Sequence, residues 1–250
     1  MNRKHNVLHV PPGQSVDARM PVPEVYEQEY NFWPWGNVLN EATKIVVRHA
    51  RQSSCILDYM CGTGFLLDKI LSIRNDLSVL GCDIHKPYVN YARVTYPTTK
   101  IACADARFYK CKQSICPDFI ICTGGLHHLN RGDQPCFIEK VSDELRQGDF
   151  FLLGEEVIRD YRSETERKSA VWEMFSELMR FLARKKPPTE VIQAATDMFV
   201  NDWCERGEYK TTHKSLEQML RPSFEIIFAK QIWPQKNCAF GDWLFLCQRR

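Results

Sequence analysis

The sequence predicts an α/β fold built on a doubly wound, mostly parallel sheet, and three observations carry that expectation. Apolar runs of strand length recur between residues 55 and 157, amphipathic stretches separate them, and turns bearing glycine or aspartate follow them. Strands buried on both faces read as continuous apolar runs, and the helices that cover them carry one apolar face.

The elements follow in order. Residues 1–24 are rich in Pro, Gly and polar residues without a period and read as a flexible arm. An aromatic cluster, VYEQEYNFWPWG, then feeds a helical stretch from about Gly36 to Ala50. CILDY (55–59) precedes FLLDKILSI (65–73), and LSVLGCD (77–83) precedes KPYVNYARVTY (86–96). KIACAD (100–105) is the third strand, DFIICTG (118–124) leads to the helix FIEKVSDEL, and DFFLLGEEV (149–157) is the fifth strand. Beyond Val157, SAVWEMFSELMRFLARK and TEVIQAATDMFVNDWCERG both show helical apolar spacing around Pro187 and Pro188, a helical insertion. KSLEQMLRP is a helix ended by Pro222, and FEIIFAKQIWP and DWLFLCQRR are suited to antiparallel pairing. The expected organisation is an arm and aromatic lid (1–35), a core (36–157), a helical cap insertion (158–214) and a C-terminal helix and hairpin (215–250).

Composition narrows the function. A net charge of +2 over 250 residues gives no electrostatic reason for a nucleic-acid partner. No run approaches the roughly 20 apolar residues of a membrane span, and the first residues lack a signal-peptide core, so a cytoplasmic location without membrane contact is expected. The 11 cysteines lack any C-x-x-C pair, which favours reduced, mostly buried thiols over a zinc site, and no metal is expected.

The stretch LDYMCGTG (57–64) places a glycine-bearing turn between a strand and a helix N-terminus, where Gly62 and Gly64 let the backbone approach a ligand. A dinucleotide fingerprint would need a third glycine where Leu67 stands, which weakens a nicotinamide or flavin reading. Asp83 ends the second strand 19 residues after Gly64, where a carboxylate can accept both hydroxyls of a ribose. Asp105 ends the third strand, where it can accept from an exocyclic amine while the next backbone N–H donates to a ring nitrogen, a pattern that suits adenine. Taken singly, Asp58 or Asp105 also fits a helix cap or strand-end turn.

Together, LDYMCGTG, LGCDIH, CADA and DFIICTGGLHHL resemble the class I S-adenosylmethionine (SAM)-dependent methyltransferases of the small-molecule branch, over about residues 36–157 and the terminal hairpin. The resemblance implies a Rossmann-like seven-stranded methyltransferase sheet with helices on both faces, an antiparallel terminal hairpin, SAM as cofactor and a small-molecule substrate. It implies that Asp58 and Gly62 face the methionine part of SAM, Gly64 the turn, Asp83 with Ile84 the ribose, Asp105 with Ala106 the adenine, and Thr123 and Gly124 the sulfonium. Met60 departs from the family pattern, which has a glycine there. Its side chain either fills space in the sheet or beneath the first helix, or crowds the methionine tail and redirects the chemistry.

Methyl transfer from a sulfonium needs orientation, exclusion of water and sometimes a base. His127 and His128 are candidate bases or structural caps, with His128 also a candidate cofactor contact. Glu155 is the carboxylate taken as catalytic, although Glu156 follows it and alternation turns only one of the two toward a pocket. Tyr26, Tyr30, Trp33 and Trp35 either close over the sulfonium or anchor the N-terminal helix, with tyrosine contact to the cofactor favoured. Met174, Phe175, Met179 and Phe181 are expected to form the core of the cap. Two alternatives stay open: a displacement at another sulfonium carbon, such as cyclisation of SAM with release of methylthioadenosine, and a non-catalytic SAM-binding partner module.

Overall fold

The computed structural model describes residues 20–111 and 116–250; the greater part of the expected N-terminal arm, residues 1–19, lies outside them. Helices α1 (Pro23–Phe32) and α2 (Trp35–His49) precede β1 (Cys55–Tyr59), α3 (Phe65–Ile73), β2 (Ser78–Asp83), α4 (Lys86–Thr95), β3 (Lys100–Cys103) and β4 (Phe119–Thr123). A 3₁₀ turn (Leu126–His128) leads to α5 (Asp133–Glu144) and β5 (Phe150–Val157), and α6 (Glu164–Lys185) and α7 (Thr189–Cys204) follow. Helix α8 (His213–Leu220) and the hairpin β6 (Phe224–Trp233) and β7 (Gly241–Arg249) complete the chain.

The strands form one seven-stranded sheet in the order β3-β2-β1-β4-β5-β7-β6. Strands β1 to β5 pair in parallel, and β7 pairs antiparallel with both β5 and β6. The order reverses between β1 and β4, and in open α/β sheets the crevice beyond the carboxyl ends of such neighbours is where ligands bind. That rule directs attention to the turns after Tyr59 and Thr123.

Two apolar layers hold the sheet. On one face Val38, Leu39, Ala42 and Val46 of α2 and Leu67 and Ile70 of α3 pack on Ile56, Ile121, Leu152 and Leu246. On the other, Phe137, Ile138 and Val141 of α5 and Leu216 and Leu220 of α8 pack on Leu57, Ile120, Leu153 and Phe245. The i, i+3, i+4 spacing in α2 and α5 puts these side chains on one stripe each, so burial in water-free layers fixes the helix orientation.

The segment after β5 is a separate apolar unit, as its spacing predicts. Val171, Met174, Leu178 and Leu182 of α6 pack against Val191 and Ala195 of α7 and against Trp233 and Phe240 of the hairpin. Met179 and Phe181 border this cluster, and Phe175 stacks on Phe199 with ring centroids 4.2 Å apart. The segment returns to the sheet where Ile158 N–H donates to Thr211 O (3.0 Å).

One buried cation fastens that return. Lys210 Nζ lies 2.8 Å from Glu156 Oε2 at the end of β5 and 2.7 Å from Asp202 Oδ2 near the end of α7, with its side chain 2% exposed. Burial disfavours the ammonium, but Asp202, Glu156 and Glu208 outweigh it and push the Lys210 pKa well up. Removing one partner of a buried ion pair leaves the others charged and unpaired, which costs about 3–5 kcal/mol. Lys210→Met is therefore expected to lower the unfolding free energy in urea by about that much; a change below about 1 kcal/mol would mean that Lys210 does not fasten the cap.

Candidate active site

The carboxyl ends of β1 and β2 bring two buried acids together. Asp58 is 1% exposed, and its Oδ1 has no hydrogen-bond partner among the described residues. Burial, and then the neighbouring Asp83, raise its pKa well above the ordinary carboxyl range. Asp83 accepts from Gly62 N (2.8 Å) through Oδ2 and from His85 N (2.7 Å) through Oδ1. Burial still raises the Asp83 pKa, against the lowering effect of those two amides. The carboxylate thus ties the end of β2 to the turn after β1, and each oxygen keeps a lone pair.

That turn depends on left-handed backbone at alternate positions: Met60 (φ 57°), Gly62 (φ 55°) and Gly64 (φ 77°). A Cβ on Gly64 would stand 2.5 Å from Ile101 Cδ1, so the glycine also permits close approach to β3. Met60 adopts the same conformation with a side chain, at a cost of roughly 1–2 kcal/mol relative to glycine. Its thioether packs against the α5-side apolar layer and over Gly125, filling the seam between the turns after β1 and β4.

Helix α1 lies across this edge as a strap. Tyr26 stacks on Tyr88 of α4 with centroids 4.8 Å apart, and its ring covers Gly62. Tyr30 packs on Phe65 at the start of α3 (5.0 Å), while Tyr96, just past the end of α4, and Tyr91 within it both donate to Glu27 (2.9 and 3.2 Å). Trp35 lies against Gly124, where a Cβ would meet its ring at 3.0 Å, and Trp33 joins the apolar layers.

Beyond β4, Gly124 N–H donates to Gly154 O (2.9 Å), and Thr123 is packed against Gly154. Glu155 holds the next turn: its Oε1 accepts from Leu126 N (2.8 Å) and its Oε2 from His127 Nδ1 (2.6 Å). His127 Nε2 lies 3.4 Å from Glu208 Oε2, so this imidazole bridges two carboxylates. His128 Nδ1 is 3.2 Å from Glu208 Oε1, and the pull of Glu208 overcomes partial burial to push its pKa up to about 9. His127, His128 and Glu208 bring three atoms capable of binding a metal within 4.8 Å of one another.

The expected adenine end is set differently. Asp105 is gripped by Arg107 through its backbone N (2.9 Å) and its Nε and Nη2, and Arg107 also reaches Asp133 of α5 (2.7 Å). Partial burial opposes ionisation of Asp105, but Arg107 prevails and lowers its pKa. Ala106 is buried beside it, and Ile84 follows Asp83 at the same edge. The structure thus gathers the sequence candidates along one edge, with Glu155 facing the His127 turn and Glu156 facing Lys210.

Residues 56–148 match the family model described as a methyltransferase domain. These residues form a methyltransferase domain. Solved structures share its fold: the N-methyltransferase NodS of Bradyrhizobium japonicum with bound S-adenosylhomocysteine (13% identity, 84% of this chain and 86% of that one, TM-score 0.53) and the magnesium protoporphyrin IX methyltransferase of Synechocystis with bound SAM (11%, 94% and 86%, 0.56). A possible exported protein of Bordetella parapertussis also aligns (11%, 93% and 80%, 0.64). A search of curated proteins finds no match.

Sequence reasoning missed Glu29, Asp202, Glu208, Lys210 and Asp242 of this edge. Glu29 hides among the aromatic residues of α1, and the other four lie outside the methyltransferase domain, in the cap, the segment returning from it and β7. The only signal in the chain for Asp202, Glu208 and Lys210 was the charge density of NDWCERGEYK (201–210).

The Met60 seam is testable. A Cβ on Gly125 would stand 2.7 Å from Met60 Cβ, whereas Gly125 itself has ordinary backbone (φ −118°). Gly125→Ala should destabilise the domain by about 1–3 kcal/mol through overpacking, and should cost less than about 0.5 kcal/mol in a Met60→Gly background. Equal costs in both backgrounds, read by urea unfolding, would place Met60 elsewhere.

Proposed function

We propose that the chain transfers the methyl group of SAM to a small-molecule acceptor held between the sheet edge, α1 and the helical cap, and that it does so in the cytoplasm. The observation that carries this reading is Asp58: a buried carboxylate with an unpartnered oxygen beside a second buried carboxylate, Asp83, at the switch between β1 and β4. Such a pair calls for a ligand rich in donors and positive charge. The α-ammonium and ribose hydroxyls of SAM supply both. The 11 free cysteines accord with a reducing compartment, and no helix among the described residues is long and apolar enough to cross a membrane.

SAM, when bound, supplies an electrophilic methyl group on a cationic sulfur. The chain's residues do the rest. Asp58 takes the α-ammonium, with Gly62 giving the close backbone approach, and the free lone pairs of Asp83 accept the ribose hydroxyls beside Ile84. Asp105 and the backbone at Ala106 address the adenine. Thr123 and Gly124 border the sulfonium, Gly64 shapes the turn, and Tyr26 and Tyr30 exclude water from above. Glu155 positions the turn by clamping Leu126 N and His127 Nδ1. His128, protonated at neutral pH through Glu208, contributes positive charge rather than a base.

SAM and S-adenosylhomocysteine should both bind the purified chain. Asp83→Asn is expected to weaken each by about 10- to 100-fold, since a hydrogen bond to a charged group contributes about 1.5–3 kcal/mol. Incubation with SAM and a metabolite extract should release S-adenosylhomocysteine. Methylthioadenosine as the enzymatic nucleoside product would contradict methyl transfer, and absence of SAM binding by calorimetry would contradict the whole reading.

A further inference from the structure

The acceptor side of the same edge holds more carboxyl groups than its internal cations match. Glu29, on the inward face of α1, is 5% exposed; its Oε1 has no hydrogen-bond partner, and it forms no ion pair among the described residues. Its electrostatic neighbour is Glu156 of β5. In the sheet Glu156 stands directly opposite Asp242 of β7, itself 2% exposed and held well above the ordinary carboxyl range by burial and by Glu156. Lys210 is the one ammonium in this group, and Asp202 and Glu156 both use it at ion-pair distance. Tyr26 and Tyr30 flank Glu29 on its own helix and bring no positive charge.

A groove one helical turn away has the same sign. The groove between α1 and α7 is lined by Pro21, Val22 and Val25 on one side and by Thr189, Glu190, Gln193, Ala194 and Asp197 on the other. It holds two carboxylates and no basic residue. Val25 precedes Glu29 by four residues, one helical turn along the same face of α1.

We propose that the acceptor is an organic amine that enters as its ammonium ion, and that Glu29, backed by Glu156, binds that nitrogen and removes its proton. This rests on the reading of the site as a SAM-dependent methyltransferase. Glu29 takes one N–H proton as the amine lone pair is freed; that lone pair forms the new N–C bond while the C–S bond breaks and its electron pair passes to sulfur. The products are the N-methylammonium ion, the neutral thioether S-adenosylhomocysteine and a protonated Glu29, which later returns its proton to solvent.

Burial, reinforced by Glu156, raises the Glu29 pKa to about 8, near the range in which a carboxylate can deprotonate an amine at physiological pH. The free enzyme at pH 7 therefore holds a neutral Glu29 carboxyl. An arriving ammonium favours the carboxylate, so amine binding expels a proton. A hydroxyl acceptor of the same shape would leave Glu29 protonated and release nothing.

The test is calorimetric titration of the full chain, saturated with S-adenosylhomocysteine, with matched probes: n-butylammonium against 1-butanol, benzylammonium against benzyl alcohol, and guanidinium against urea. At least one cation should bind tenfold or more tightly than its neutral partner. In buffers of different ionisation enthalpy at pH 7, its binding should release close to one proton. Glu29→Gln should abolish both the preference and the proton release while keeping S-adenosylhomocysteine binding, which also certifies its fold. Equal affinities within every pair, or proton release unchanged in Glu29→Gln, would overturn the proposal. So would a Glu29→Gln variant that loses affinity for SAM relative to S-adenosylhomocysteine while its cation preference persists, because Glu29 would then serve the sulfonium. Failure of S-adenosylhomocysteine to bind the wild-type chain would instead refute the reading of the site itself.

Discussion

Asp58 and Asp83 close two adjacent parallel strands with their carboxyl groups withdrawn from water, and neither forms an ion pair among the described residues. Folding alone leaves this arrangement costly, since a desolvated acid must either stay protonated or find a donor. Much of the local structure serves to hold it in place. The apolar layers on both faces fix the strand ends, Asp83 draws in Gly62 N and His85 N, and the left-handed residues Met60, Gly62 and Gly64 shape the turn that follows Asp58. A site that is unsatisfied in the free protein and satisfied by its ligand turns a stability cost into binding energy.

The same logic extends across the edge. Helix α1 is attached to α4 through Glu27 and the Tyr26–Tyr88 stack and packs along α7, so it joins the SAM side to the cap side. On the cap side Lys210 offsets Glu156 and Asp202, and Glu155 and Glu208 hold the two histidines. These contacts spend the available cations on structural carboxylates. Glu29 is left as a buried acid with an unpartnered oxygen and, among the described residues, no ion pair, whereas Glu156, Asp202 and Glu208 each lie within reach of Lys210.

The sheet was legible because its strands are continuous apolar runs: CILDY, SVLGCD and FFLLGEEV appear in the structure within a residue or two of their predicted bounds. The helical character of the segment after β5 was legible in SAVWEMFSELMRFLARK, but of the four residues expected at its core only Met174 is buried there, among Val171, Leu178 and Leu182, while Met179 and Phe181 border the cluster and Phe175 lies outside it. Helix α1 was not, because its ten residues bury a glutamate and mix aromatic and acidic side chains, and tertiary contacts rather than an apolar period hold it in place. Asp83 and Gly62 were each legible from a strand-end turn, but the hydrogen bond between them was not, because it depends on β1 and β2 lying side by side. Glu29, Glu156, Lys210 and Asp242 span more than 200 residues, and only the topology, with β7 inserted between β5 and β6, brings β5 and β7 into register. Met60 stood out in the sequence, but its place over Gly125 needed the path of the turn after β4.

Ligand binding is expected to ionise the buried acids at the ends of β1 and β2. A raised pKa in the free state means that these carboxyls are protonated until the pH passes it, so a ligand bearing an ammonium gains affinity as pH rises and protons are released. The direct measurement is the thermal stabilisation by saturating S-adenosylhomocysteine between pH 5 and about 7.5, a range in which its own α-ammonium stays largely protonated. The stabilisation should grow with pH across this window and lose that growth in Asp58→Asn. A shift of constant size at every pH, or one that shrinks as pH rises, would contradict it.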